Sequence, residues 1–368
     1  MSPNSDATVY SSIFALYIFD LFKETDNWSS EEKDEWAEYL NSFQDAITGL
    51  YIPKGFGGEM VSKEVFQLTS FALSALNLLG RKSKFELEFF KYWQTRDAVI
   101  DYLEKMGCWV GKPSSGNMAM FLGIFMTIAY EESKDEKYLD LLNCWFEEHE
   151  KHQNPNTGFW EKEPIKNHYF GYQNGFHQLE IFSYWKREVK YYDKIVDRVL
   201  MLSNSDGTFW SYPGGGACYD YDAVKLLVDC GINKNYKNES IKPLFEKVLD
   251  HVFSVQNADG GFCENKFLPK QIKWLINLKT LEFLCFKNPN QNFFLKFRSI
   301  VSISRRKFWK NKTHWVSNSV PWDESDLWST WFRMLTILEV TETLQFYRKE
   351  NHFRFLRTIG LGWRSHNT

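Results

Sequence analysis

Three glycines followed by two acids form the segment of the chain best equipped for chemistry: Gly214-Gly215-Gly216-Ala217-Cys218-Tyr219-Asp220-Tyr221-Asp222. Glycine lets a backbone come close to another group. Two positions apart on a helix, Asp220 and Asp222 do not share a face. Both point inward only if the helix begins there. Otherwise Asp220 caps the helix through its side-chain oxygen, and Asp222 shares a face with Cys218. A carboxyl in an apolar, aromatic-lined cavity has a raised pKa and can serve as a general acid. Asp222 is therefore the expected acid, with Asp220 beside it as the second catalytic candidate.

Similar polar clusters recur along the chain. They include Gly57-Gly58-Glu59 with Lys63-Glu64; Lys112, Ser114, Ser115 and Asn117; His168, Tyr169, Tyr172, Gln173, Asn174 and His177; Lys266, Lys270 and Gln271; and the stretch from Trp322 to Arg333. From these, Glu59, Tyr172, His177, Cys218, Tyr219, Lys266, Lys270, Trp322, Asp326, Trp328, Trp331 and Arg333 are the expected substrate contacts. Asp323, Glu324 and Asp326 also read as helix-start acids favoured by the helix dipole. His168 and His177 also read as hydrogen-bonded packing residues. Cys218, Cys263, His177 and Asp222 lack the spacing of a zinc motif, so no metal site is assigned.

A recurring turn indicates how these groups are positioned. Four copies are clear: Gln44–Tyr51, Gln153–Trp160, Ser203–Trp210 and Gln256–Cys263. Two weaker ones are Gly107-Cys108-Trp109 and Lys312-Thr313-His314-Trp315. The aromatic markers Tyr51, Trp109, Trp160, Trp210, Phe262 and Trp315 follow one another at steps of 50 to 58 residues. A fixed period of this size marks a repeat architecture. Before each turn lies a segment with apolar residues at three- and four-residue spacing, such as Leu244, Val248, Val252 and Val255, which predicts a half-exposed helix. After each turn the chain is apolar around the whole helical circumference, as in Met118–Tyr130, which predicts a buried helix. Expected inner helices are 62–79, 117–130, 174–186, 221–229, 270–286 and 325–340. With strand signals almost absent, the fold class is all-α: a closed α6/α6 double-ring toroid of six helix pairs. The turns read as fasteners, with Gly supplying positive φ and the following aromatic packing between repeats. The expected organisation is an N-terminal packed helix in 1–30, the toroid in 31–345 and a C-terminal tail in 346–368, together one domain.

Composition narrows the function classes. The 368 residues carry 43% hydrophobic and 25% charged side chains and a formal net charge of -3, so no basic field argues for nucleic acid. No apolar run is long enough to span a membrane, although the first helix could touch a membrane surface in passing. Six cysteines without a C-x-x-C pair read as free thiols in a reducing compartment, and a cytoplasmic protein is expected. Aromatic residues reach 18%, with 15 Trp, 18 Tyr and 32 Phe.

The Gln256–Phe262 segment, its sister copies and Gly57-Gly58-Glu59 leading into a helix resemble the Q-x-x-D-G-x-F/W turn repeats of the terpenoid cyclase and protein prenyltransferase toroid superfamily. The resemblance covers roughly residues 43 to 340. It implies an α/α toroid with its site at the mouth of one ring. Class II terpene cyclases carry D-x-D-D, whose middle acid protonates the substrate. Asp220-Tyr221-Asp222-Ala223 matches the first three positions and implies Asp222 as proton donor, with Ala223 in place of the fourth acid. No D-D-x-x-D segment is present, and 262–275 lacks the Asp-x-Cys zinc pattern of prenyltransferase β subunits.

Three functions follow as expectations. The first is a terpenoid cyclase-like enzyme, of cyclase or isomerase–lyase type. It would start carbocation chemistry on a prenyl diphosphate or polyene by protonation from Asp222, with aromatic walls stabilising the cation. Lys266, Lys270 or Arg333 would hold a diphosphate, and Mg²⁺ would enter only with such a group; no other cofactor is expected. The second is a carbohydrate-active α6/α6 enzyme: a glycoside hydrolase with paired carboxylates, or a lyase or epimerase using His177 and Tyr172. The third is a non-catalytic binding ring.

Overall fold

The computed structural model describes residues 6–163, 165, 167–267, 278–285, 289–305, 314, 320–346 and 353–364. The α-helices among them are α1 (Val9–Leu21), α2 (Ser30–Asn41), α3 (Lys63–Leu78), α4 (Arg96–Lys105), α5 (Ser115–Ser133), α6 (Glu136–His152), α7 (His168–Tyr184), α8 (Tyr192–Leu202), α9 (Ala217–Leu226), α10 (Asn238–Ser254), α11 (Leu278–Cys285), α12 (Pro289–Arg305) and α13 (Leu327–Thr343). They form an α/α toroid. Helices α2, α4, α6, α8 and α10 are amphipathic and lie outside, each followed by a turn and then by a buried inner helix.

The turns fasten the ring by a repeated local device. In four of them the residue after the Gln or Ser position returns its amide to a carbonyl across the turn: Asp45 to Leu50, Asn154 to Phe159, Asn204 to Thr208 and Asn257 to Gly261, at 2.7 to 2.9 Å. The glycines at 49, 158, 207 and 260 sit at φ +75°, +76°, +82° and +84°, a region that disfavours side chains. Gln44 and Gln153 bond both their own turn and the backbone of the next repeat, at Phe85 and Lys190. Crowding adds to the requirement for glycine. A Cβ at Gly49 would lie 1.9 Å from the Glu86 carbonyl oxygen, and one at Gly207 would lie 2.7 Å from the Val248 nitrogen. The sixth turn falls outside the described residues except for His314.

The inner ring closes through α1. Helix α3 packs on α5, α5 on α7, α7 on α9, α9 on α13, α13 on α1 and α1 on α3. Side-chain pairs show that these helices run parallel. The Tyr10 and Tyr17 hydroxyls donate to the Glu64 and Phe71 carbonyls. Phe14 lies edge-on to Trp328, and Tyr17 lies 5.2 Å from Trp331. All six inner helices thus begin at one end, the mouth. Helix α1 is buried over most of its circumference, with Phe19 exposed, as its largely apolar sequence requires.

The fifth pair differs from the spacing-based expectation of an inner helix at 270–286. That segment is only partly described, and its described portion, α11, pairs with α12. The inner place beside α9 belongs to α13. Turn five holds its start: the Phe262 amide donates to the Thr330 hydroxyl and the Asp326 amide to the Phe262 carbonyl. The chain therefore makes a long excursion between the turn and the inner helix of the fifth pair. The far end of the ring is covered by 353–364, where Leu356, Ile359 and Leu361 are buried and Trp363 packs 4.8 Å from Tyr184. No helix among the described residues is long and apolar enough to cross a membrane.

Candidate functional site at the mouth of the ring

The fourth inner helix starts at Ala217, which puts both acids in its first two turns. The three glycines before it are explained by what they press against. A Cβ at Gly215 would lie 2.6 Å from the Asp220 carboxyl, and one at Gly216 would lie 2.7 Å from Glu264 Oε1. Asn265 Nδ2 also donates to the Pro213 and Gly215 carbonyls. The close approach that the glycines permit is thus to buried side chains of their own helix, such as Asp220, and of the residues just after the fifth turn, Glu264 and Asn265.

Asp220 and Asp222 have different surroundings. Asp220 is 1% exposed, accepts the Phe209 amide at 2.9 Å, and is paired with Arg333 Nη1 at 2.6 Å. Burial pushes its carboxyl up to about 6, with Arg333 opposing that rise. Asp222 is equally buried, but its Oδ1 has no hydrogen-bond partner among the described residues. Burial raises its pKa well above the carboxylate range. The charge on Glu180 adds to the rise, and the Lys63 ammonium opposes it. The surroundings of Asp222 therefore favour its protonated form.

Around Asp222 the inner helices supply a small polar set. His177 on α7 is 5% exposed with Nδ1 unpartnered, and burial together with Lys63 lowers its pKa to about 3, so it is a neutral imidazole. Lys63 at the start of α3 feels both Cys218 and Asp222, which places it toward their shared face; burial lowers its pKa against those attractions. Burial likewise pushes the Cys218 thiol well up. Asn117 on α5 keeps an unpartnered buried Oδ1. An aromatic run, Phe176–Tyr221–Phe332 with centroids 5.8 and 5.7 Å apart, links α7, α9 and α13 beside these groups.

The remaining expected contacts are distributed more widely. Tyr172 is buried, and its hydroxyl donates to the Phe209 carbonyl at 3.0 Å. Tyr219 stacks on Trp210 with centroids 3.7 Å apart. Arg333, 0% exposed, ties Asp220 to the Glu264 carbonyl. Asp326 is the N-cap of α13 and accepts both the Ser329 amide and hydroxyl. Trp328 and Trp331 are buried, one against Phe14 and the other against Tyr17 and Gly362. Trp322 accepts the Asn265 amide through its carbonyl. Glu59 is exposed on the loop before α3. Lys266 bonds the Ser254 and Gln256 carbonyls at the end of α10, where a cation closes a helix C-terminus. Lys270 lies outside the described residues.

Three buried acids escaped the sequence reading. Glu264 follows Cys263 at the end of turn five, as Glu161 follows Trp160 at the end of turn three, and burial raises each to about 7. Glu180 lies three residues after His177 on a helix otherwise apolar all round, and burial raises it to about 8. Both signals were in the sequence: an acid repeated at the same turn position, and a lone acid on a buried helix.

The model of the family described as "Prenyltransferase alpha-alpha toroid domain" matches residues 3–120 and 125–271. No curated protein matches the chain in sequence. Among solved structures, a polysaccharide lyase aligns at 12% identity over 93% of this chain and 91% of its own, with a TM-score of 0.47. A glycosyl hydrolase family 88 protein from Bacteroides vulgatus aligns at 12% identity over 93% and 94%, with a TM-score of 0.45. These last two values are too low to carry an inference. The first match runs through turns one to five and the inner helices α1 to α9, and on that ground the chain belongs to the prenyltransferase alpha-alpha toroid domain family.

Proposed function

We propose that the mouth of the ring is the active site of an acid-catalysed enzyme, with Asp222 as the proton donor and an isoprenoid as the substrate. The observation that carries this reading is the setting of Asp222: a buried carboxyl with an unpartnered oxygen on an inner helix, where burial favours the protonated form. Burial that favours the protonated form lets such a group act as a general acid and deliver its proton to a carbon–carbon double bond. The proton moves from the Asp222 carboxyl to one alkene carbon, and the cation forms on the other. Aromatic residues on the inner helices offer ring faces able to stabilise such a cation. Neutral His177 is a base able to take the final proton. Membership of the prenyltransferase toroid family supports the isoprenoid class.

A second reading is a lyase or epimerase acting on a carbohydrate, with His177 as base and Asp222 as acid. It is favoured by the polar side of the site, where the Lys63 charge acts on both Asp222 and His177. A glycoside hydrolase with two working carboxylates is less well supported. Asp220, Glu264 and Asp326 each already have hydrogen-bond or ionic partners in the fold.

The test is incubation with prenyl diphosphates and with linear polyenes, followed by product analysis. Cyclised or isomerised product from the wild type, lost at least about a hundredfold in Asp222→Asn, supports the proposal. Product formed at the same rate by the variant would remove Asp222 from the role. Inactivity on isoprenoids with formation of unsaturated sugar ends from a uronate polysaccharide would move the function to the second reading.

A further inference from the structure

A second cavity lies away from the mouth, between α7, α9 and the residues after α9. It encloses about 110 Å³. Its inner wall holds Glu180, Ser183, Lys225 and Asp229, and its sides are the apolar faces of Phe176, Leu179 and Leu226. Trp363, from the segment covering the far end of the ring, closes one side. The entrance is bordered by the exposed residues Arg187, Tyr192 and Lys234.

Three independent features set this cavity apart from a packing defect. First, its wall contains residues of a π-helical turn at Leu227–Gly231, an irregularity that places Asp229 and Cys230 against the cavity and that in proteins concentrates at functional sites. Second, Glu180 is 8% exposed and lines the cavity with its Oε2 unpartnered. A buried carboxyl oxygen left without a donor is costly, and a ligand that supplies one removes the cost. Third, among the described residues the cation on the inner wall, Lys225, makes its hydrogen bond to Asp229 at 2.7 Å, so it reaches Glu180 through its charge and not through a hydrogen bond to Oε2. The free hydrogen-bonding capacity of the interior is thus that of an acid.

The charge is arranged by depth. Acid lies inside, and the basic residues Arg187 and Lys234 stand at the entrance. Apolar and aromatic walls run between them and suit a short methylene chain, with Tyr221 and Tyr192 able to face a cation. A cavity of this size holds a ligand of about half a dozen heavy atoms, since an engineered 150 Å³ cavity holds benzene.

We propose that this cavity binds a small aliphatic amine, with the Glu180 carboxyl releasing its proton to solvent and pairing as carboxylate with the ammonium, and the far end of the chain at the Arg187–Lys234 entrance. The basic entrance selects against a second ammonium and favours an anionic or neutral far end. The preferred order is 5-aminopentanoate, then pentylamine, then 1,5-diaminopentane. Pentanol and pentanoate lack the group that Glu180 needs.

Isothermal titration of the full chain with these five probes tests the site. Saturable one-to-one binding of the amino acid and the monoamine is expected, weakened at least about tenfold in Glu180→Gln. Val189→Trp, which narrows the entrance without touching the acid, should also abolish it. The two cavity variants are first checked for wild-type circular dichroism and melting behaviour. If Glu180→Gln does not fold, Val189→Trp decides the outcome. Absence of amine binding, equal binding by Glu180→Gln, or tighter binding of pentanoate than of pentylamine would overturn the proposal.

Discussion

Arg333 on α13 and Asp220 on α9, 113 residues apart, form a salt bridge of 2.6 Å in which neither side chain is more than 2% exposed. It joins the fourth and fifth inner helices directly behind the acid at the mouth. Removing one partner leaves an unpaired buried charge, which typically costs about 3–5 kcal/mol. Arg333→Met should therefore lose that much stability in chemical denaturation, and Asp220→Asn/Arg333→Met should recover a large part of it. A double variant as unstable as the sum of its singles would show that the two side chains act separately.

The buried titrating groups fix a pH profile for stability. Asp220 at about 6, Glu161 and Glu264 at about 7 and Glu180 at about 8 all lie above the ordinary carboxyl range in the fold. The folded chain holds their protons more tightly than the unfolded chain, so their contribution is full below the unfolded pKa and is lost as pH rises toward 8. His149, His177 and His314 at about 3 and His251 at about 4 act in the opposite sense. Their contribution is full above the unfolded value of 6.5 and is lost as pH falls toward 3. The melting temperature should peak between about pH 4.5 and 6.5 and fall on both sides. Glu180→Gln should flatten the alkaline limb. A melting temperature that rises steadily from pH 6.5 to 8.5 would contradict these assignments.

The turn glycines should not be equally sensitive. All four need positive φ, which costs an alanine roughly 1–2 kcal/mol. A Cβ at Gly260 meets nothing within 4 Å, whereas at Gly49 and Gly207 it strikes the backbone of the next repeat. Gly260→Ala should therefore lose only the conformational term. Gly49→Ala and Gly207→Ala should lose about 1–3 kcal/mol more. Equal losses at the three sites, measured by urea unfolding, would mean that the repeats are not held at these contacts.

Phe14 tests the place of α1. It is 1% exposed and packs on Phe71, Trp328 and Phe332 from both neighbouring helices. Phe14→Ala should cost about 3–5 kcal/mol, the range for a core aromatic. A change within the roughly 0.5 kcal/mol scatter of surface substitutions would show that α1 is not part of the inner ring.

The sequence made the turns legible because their bonds are local: Gln44, Asp45 and Gly49 meet within a few residues, and spacing alone exposes such a unit. The inner helices were legible from their uniform apolarity. The identity of the fifth inner helix was not, because an excursion of some sixty residues separates turn five from α13, and helical period says nothing about which segment returns. The apolarity of α1 matches that of the other inner helices, but no turn of the repeat precedes it, so period alone left it outside the ring. At the mouth, Asp222, His177 and Cys218 were legible as chemistry-bearing residues on a shared end. Their partners were not. Asp220 and Arg333 were each singled out, but a pair so far apart leaves no spacing signal. Lys266 was read as a cation for a ligand, although its position after α10 equally suits the helix end it closes.

The closure of the inner layer by α1 has a kinetic consequence. Each of the other neighbouring inner helices is joined by a stretch of chain shorter than about 115 residues, whereas the α1–α13 contact joins residues more than 300 apart. The strain of bringing such distant segments together falls late, after the intermediate helices are stacked. Until then the ring is an open crescent whose two terminal helices each show an apolar face. The toroid is thus a clasp as well as a scaffold: its last contact to form is the one between its first and last inner helices, and the acid at the mouth is enclosed only once that contact is made.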